Sequence, residues 1–139
     1  CMLGSQKQKA WLSDQRFAEK FGFRAADTAG EYTLLALSFD GMLPRFTPGA
    51  KAQTIENREL TVYYDDQCPF IFQRVEKLKE FCAQKGLPAR FIHVESAEQA
   101  KTLPCVFNNW AVFYGGKLAT VNQIGGAEVE KLMKRAAER

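Results

Sequence analysis

The sequence predicts a mixed α/β (α+β) chain in two parts, and three observations carry that expectation. From Leu60 onward the signals run strand, helix, strand, short helix, strand, strand, helix. Before residue 40 a strand-like start, one helix and one hairpin form a separate group. Between them Asp40-Gly-Met-Leu-Pro-Arg-Phe-Thr-Pro-Gly-Ala-Lys breaks both patterns with two prolines and two glycines. A chain of 139 residues has room for one ordinary domain or two small ones. The expected division is 1–47, a linker over 48–59, and 60–139.

Composition narrows the classes. Hydrophobic residues at 46%, with 11 Phe, are enough for packed cores. The net charge of +3 comes from Lys and Arg interleaved with Asp and Glu, so no basic groove for nucleic acid is expected. No apolar run approaches the roughly 18–20 residues of a membrane span, and the start carries no signal-peptide pattern. Cys1, Cys68, Cys82 and Cys105 show no metal-ligand spacing, so no metal is expected. Across a helix, Cys68 and Cys82 would lie roughly 20 Å apart, too far for a disulfide. That cysteine usage suits a reducing cytoplasm.

In order along the chain, Cys-Met-Leu-Gly-Ser resembles the end of a strand. Within the helical stretch 11–21, Ser13 is a good N-cap, Leu12 before it can staple onto Phe17, the fourth residue after the cap, Phe17 and Phe21 fall on one face, and Gly22 is a left-handed stop. Strands are expected over 23–28 and 31–39, joined at Ala29-Gly30. The second would be apolar on both faces, with Leu35, Leu37 and Phe39 on one and Tyr32, Leu34 and Ala36 on the other. One short helix covers one face only, and about forty residues rarely hold a core alone. Burial therefore implies that this segment completes a larger sheet. Leu43 and Phe46 are expected to pin part of the linker to one body.

In the second part, strand 60–65 leads to a helix over 69–85 whose apolar stripe is Ile71, Val75, Leu78 and Cys82. Gly86 ends it. Strand 89–94 follows, then a short helix over 97–101 capped by Ser96. Strands 110–114 and 117–121 flank a Gly115-Gly116 turn. The last helix begins near Ala127 and repeats Val129, Leu132, Met133 and Ala136 at helical spacing. A βαβ start implies a parallel pair with a right-handed crossover, to which the hairpin adds antiparallel strands.

Two resemblances rest on these residues. Leu-Gly-Ser, the helix, Phe17-Ala18-Glu19-Lys20-Phe21-Gly22-Phe23 and the hairpin ending Tyr32-Thr-Leu-Leu-Ala-Leu resemble the closing segment of GNAT family N-acetyltransferases. The stretch Tyr63-Tyr64-Asp65-Asp66-Gln67-Cys68-Pro69-Phe70, with Phe113-Tyr114-Gly115-Gly116-Lys117, is similar to the thioredoxin-like, YoaP-like C-terminal domain carried by some of them. The resemblance implies transfer of an acetyl group from acetyl-CoA to a small-molecule or peptide amine, in the cytoplasm, without a metal. Two departures stand out. The family's phosphate loop, Arg/Gln-x-x-Gly-x-Gly/Ala, is absent, so acetyl-CoA would be bound mainly by residues upstream of these 139. The position that often holds a tyrosine acid is Ala18.

Cys68 is the one candidate catalytic thiol. Pro69 suits a first helical position, which sets the Cys68 sulfur at the positive end of a helix dipole, where thiolate is favoured over thiol. The position three residues on is Ile71, so no second thiol can resolve a mixed disulfide, and monothiol chemistry is what remains. The place of the cis-proline of redox domains of this fold falls on Trp110, with Pro104 six residues too early. Cys105, in a loop, could approach Cys68. His93 is expected to be structural, Asp65-Asp66 to make turn hydrogen bonds, and Cys82 to be core. Two rivals to the acetyltransferase reading stay open. One is a monothiol redox or thiol-sensing module using Cys68. The other is a non-catalytic interaction domain acting as a lid or homodimer surface.

Overall fold

The structure is a computed structural model that describes residues 1–6, 14–107 and 109–138. It is mixed α/β, as expected, with two separate sheets. The chain forms two compact units, Cys1–Lys51 and Ala52–Arg139.

In the first unit, β1 (Met2–Ser5) is followed by the helix α1 (Gln15–Glu19) and the strands β2 (Arg24–Ala29) and β3 (Tyr32–Ala36). Gly30, at φ 59°, makes the reversal between β2 and β3. The sheet order is β1-β3-β2, antiparallel throughout, which puts β3 in the middle. Tyr32, Thr33, Leu35 and Ala36 are buried accordingly. Gln15 of α1 lies over Gly4, where an added Cβ would stand 3.1 Å from Gln15 Oε1 and 3.1 Å from Leu35 Cδ1. A side chain at position 4 would crowd both of these side chains.

Three expectations need correction here. The β3 strand stops at Ala36, so Leu37 and Phe39 are not buried, and Phe39 is 92% exposed. Pairing runs out at that point: Ala36 faces Arg24, the first residue of β2, and Leu35 faces Met2. The chain then bends where the Asp40 carboxylate accepts from Ser38 Oγ and the Met42 N–H, with Gly41 at φ 83°. The described helix is also shorter than 11–21, and Asp14 caps it by accepting the Arg16 N–H at 3.0 Å. The expected Ser13 cap and Leu12 staple lie outside the described residues. Phe17 and Phe21 do meet, at 5.1 Å between ring centroids, yet both are exposed. Gly22 adopts the left-handed stop at φ 86°, with Phe23 N–H donating back to Ala18 O.

Asp27 ties down the chain that leaves this sheet. Its carboxylate accepts the Phe46 N–H at 2.9 Å and Lys51 Nζ at 2.7 Å. The anchor at Phe46 is therefore its backbone N–H on Asp27. Thr47 Oγ1 accepts the Ala50 N–H, and Pro48 opens the short helix α2 (Pro48–Ala52) within the stretch read as linker.

The second unit runs β4 (Leu60–Tyr64), α3 (Pro69–Lys85), β5 (Ala89–His93), α4 (Ala97–Lys101), β6 (Trp110–Tyr114), β7 (Lys117–Thr120) and α5 (Gly126–Ala137). The sheet order is β5-β4-β6-β7, with β4 parallel to β5 and the other pairs antiparallel. Strand alternation divides the side chains between two faces. Leu60, Val62, Trp110 and Val112 pack with the helical stripe Ile71, Val75, Leu78 and Cys82 and with Val129 of α5. Ala111 and Phe113 pack on the other face with Cys105, Tyr63, Ile55 and Leu118. Gly86, at φ 62°, closes α3, with the Leu87 N–H donating to Cys82 O.

Residues 53–58 also fell within the stretch read as linker, and they strap the β6–β7 hairpin. Ile55 N–H donates to Gly116 O, Leu118 N–H to Gln53 O and Gly115 N–H to Arg58 O. The strap covers backbone groups that an edge strand otherwise leaves open.

Candidate functional site

The parallel strands β4 and β5 end side by side, and the turns leaving them hold the second unit's chemistry-bearing residues. The β4 turn is fixed first. Asp65 is buried, its Oδ1 accepts the Gln67 N–H at 3.0 Å, and its own N–H donates to Asn109 O. That is the turn bonding expected of Asp65. It delivers Cys68 to the N-cap of α3 with extended backbone angles, φ −121° and ψ 125°, followed by Pro69 at the first helical position. Cys68 is half-buried, packs against the α3-side core and makes no capping hydrogen bond through its sulfur.

Asp66 behaves differently from Asp65. Its Oδ2 lies 2.9 Å from His93 Nε2, at the end of β5, while His93 Nδ1 lies 3.2 Å from Glu95 Oε1. The Tyr64 ring stacks on the imidazole at 5.0 Å and 22°. Gln99 of α4 braces the same corner, its amide donating to His93 O and accepting the Glu95 N–H. His93 is thus a bridge between two carboxylates, which the sequence reading missed. Half of it was legible: His93 and Glu95 are two residues apart at a strand end and so share a face. The other half, Asp66, is 27 residues away and arrives only through the parallel pairing of Tyr64 with His93.

Cys105 does not join Cys68. It is buried in the cluster on the opposite face of the sheet, and its S–H donates to Phe107 O at 3.0 Å. Burial pushes its thiol up to about 11, so it stays protonated and inert at neutral pH. Cys82 lies in the core on the α3 stripe, where burial raises its pKa as well. Trp110 is fully buried where β6 begins, paired with Tyr64 across the sheet. Among the described residues no three His, Cys, Asp or Glu side chains converge as a metal site requires.

The start of α1 does not fit a CoA pyrophosphate. That anion needs free backbone N–H groups at a helix start. At α1 the Asp14 carboxylate already takes the Arg16 N–H and places a negative charge there, and hydrogen bonding to that N–H holds its pKa below the ordinary value.

These features define an α+β domain with a cysteine at a helix start and a carboxylate–histidine corner beside it. Residues 88–134 match the family described as YoaP-like. Over 138 residues it is 31% identical to a Bacillus subtilis (strain 168) protein described as "Uncharacterized N-acetyltransferase YoaP". That similarity covers 97% of this chain and 55% of the relative, so the chain spans about half the relative's length. No solved structure matches.

Proposed function

We propose that this chain is the C-terminal part of a GNAT-type N-acetyltransferase, which transfers acetyl from acetyl-CoA to an amine and carries a thioredoxin-like accessory domain. The observation that carries the proposal is the similarity to a protein named as an N-acetyltransferase along nearly the whole chain, both units included. Two features of the fold support it. The first unit carries a strand, a helix and a hairpin in the order this reading requires, and among the described residues β1 stands at the end of the sheet, next to β3. In the second, the order β5-β4-β6-β7, with a helix crossing between the parallel pair, supports the thioredoxin-like reading.

In this reading the acetyl-CoA cradle and the reacting groups lie in the part of the enzyme outside these residues. The acceptor is a small-molecule or peptide amine, and the protein works in the cytoplasm. Calorimetric titration of the full-length protein with acetyl-CoA tests it. Saturable binding is expected, and no heat of binding in a folded preparation would sink the enzyme reading.

A second reading, a monothiol module using Cys68, is favoured by that residue's position at the start of a 17-residue helix with no side-chain cap to occupy it. It predicts that the Cys68 thiolate exchanges with glutathione disulfide, releasing one glutathione, faster than exposed Cys1 does, and that Cys68→Ser removes this fast phase while leaving acetyl-CoA binding intact. Equal glutathionylation at the Cys68 peptide and elsewhere in the native protein would count against it.

A further inference from the structure

We propose that His93 is a proton-operated latch on the turn that carries Cys68: its doubly protonated ring ties Asp66 to Glu95 across the ends of β4 and β5, and loss of one ring proton releases one of them. The inference comes from the acceptor chemistry of the corner. Both ring nitrogens lie within hydrogen-bonding distance of a carboxylate oxygen, at 2.9 Å and 3.2 Å. An ionised carboxylate only accepts, so both bonds form together only when both nitrogens carry protons. The neutral ring has a single N–H and turns a lone pair toward the other carboxylate.

The proton leaves to water, since the side chains of Asp66 and Glu95 are 72% and 74% exposed. The other groups around the ring do not duplicate the clamp. Tyr64 presents its ring face from β4. From α3, Lys79 reaches Phe91, two residues along β5, at 5.8 Å, and is itself paired with Glu76 at 3.0 Å. Gln99 holds backbone groups at this corner. Asp66 is two residues before Cys68 in the same turn, so its tether reaches the stretch that presents the thiol.

The latch acts on one side of the turn only, because Asp65 anchors the other in either protonation state. The consequence is therefore a local loosening at residues 66–68, with the fold retained.

The test is a pH titration of the intact chain by NMR, following the His93 ring and the backbone amides of Asp66 and Glu95, with deuterium exchange of residues 66–68 alongside. The three sets of signals are expected to share one midpoint. Exchange at 66–68 should rise above it by about two- to fivefold, the scale of a partly exposed ion pair. His93→Gln should erase the shared midpoint. Asp66→Asn, which keeps the histidine, should leave Glu95 titrating with the ring while position 66 no longer follows it. Amides at 66 and 95 that titrate unchanged in His93→Gln, or that ignore the ring's titration in the native protein, would overturn the latch.

Discussion

Replacing Gly126 by alanine puts a methyl carbon 2.5 Å from Phe81 Cδ2, 2.7 Å from Cε2 and 2.9 Å from Cγ. Gly126 is the first residue of α5, and Phe81 lies on α3, so the missing side chain sets how closely the two helices approach. Ring rotation cannot relieve the clash, because Cγ stays fixed when the ring turns about the Cβ–Cγ bond. In a helix interior, alanine for glycine gains about 0.8–1 kcal/mol, and less at a first position. Overpacking costs about 1–3 kcal/mol. The substitution should therefore destabilise the second unit, by up to about 2 kcal/mol once the helical gain is subtracted from the overpacking cost.

The decisive form of the experiment is a double-mutant cycle with Phe81→Ala, which removes the obstructing ring. In that background Gly126→Ala should become neutral or stabilising, a coupling of about 1–3 kcal/mol between the two positions. Guanidinium unfolding read by Trp110 fluorescence, in a Trp11→Phe background, reports on this unit, because Trp110 is buried in its core. The same destabilisation with and without the Phe81 ring would refute the close approach of α3 and α5.

Other expectations follow from single contacts. Leu78→Ala, at a side chain 1% exposed in the same core, should cost about 2–5 kcal/mol in that unfolding assay. Gly116→Ala should loosen the strap, since Gly116 sits at φ 83° and a Cβ there would stand 3.0 Å from Ile55 O; faster exchange of the Ile55 amide is the readout. The Lys51 ammonium on Asp27 holds that carboxyl's pKa below its ordinary value. The tether is therefore fully present above the unfolded value of about 4 and is lost as pH falls through the lower folded one. Protection of the Phe46 amide should follow that acid limb and be missing at every pH in Asp27→Ala. Alkylation of the native protein read peptide by peptide should modify exposed Cys1 readily and spare Cys105, whose buried thiol is pushed up to about 11.

The parts of the fold that were legible in the sequence are those encoded within a few residues. Gly86 and Gly22 announce left-handed helix stops, Gly115-Gly116 a tight hairpin, Ser96 a cap, and the steps from Ile71 to Cys82 one buried stripe. What escaped depends on partners distant in sequence. The exposure of Phe39 follows from β2 having no residue left to pair beyond Arg24, a fact absent from the β3 stretch itself. The strap over 53–58 is made of backbone hydrogen bonds, so its polar side chains gave no periodic signal and suggested a linker. At the site, Cys68 before Pro69 was visible as a helix start, whereas the Asp66–His93 contact needed the register of two parallel strands.

Acetyl transfer itself bears most directly on the functional reading. Full-length protein mixed with acetyl-CoA and a panel of primary amines, with free CoA thiol followed over time, should release CoA at a rate that depends on the amine. Cys68→Ser should leave that rate unchanged. No amine-dependent CoA release from folded, full-length protein, across small-molecule and peptide amines alike, would contradict the account.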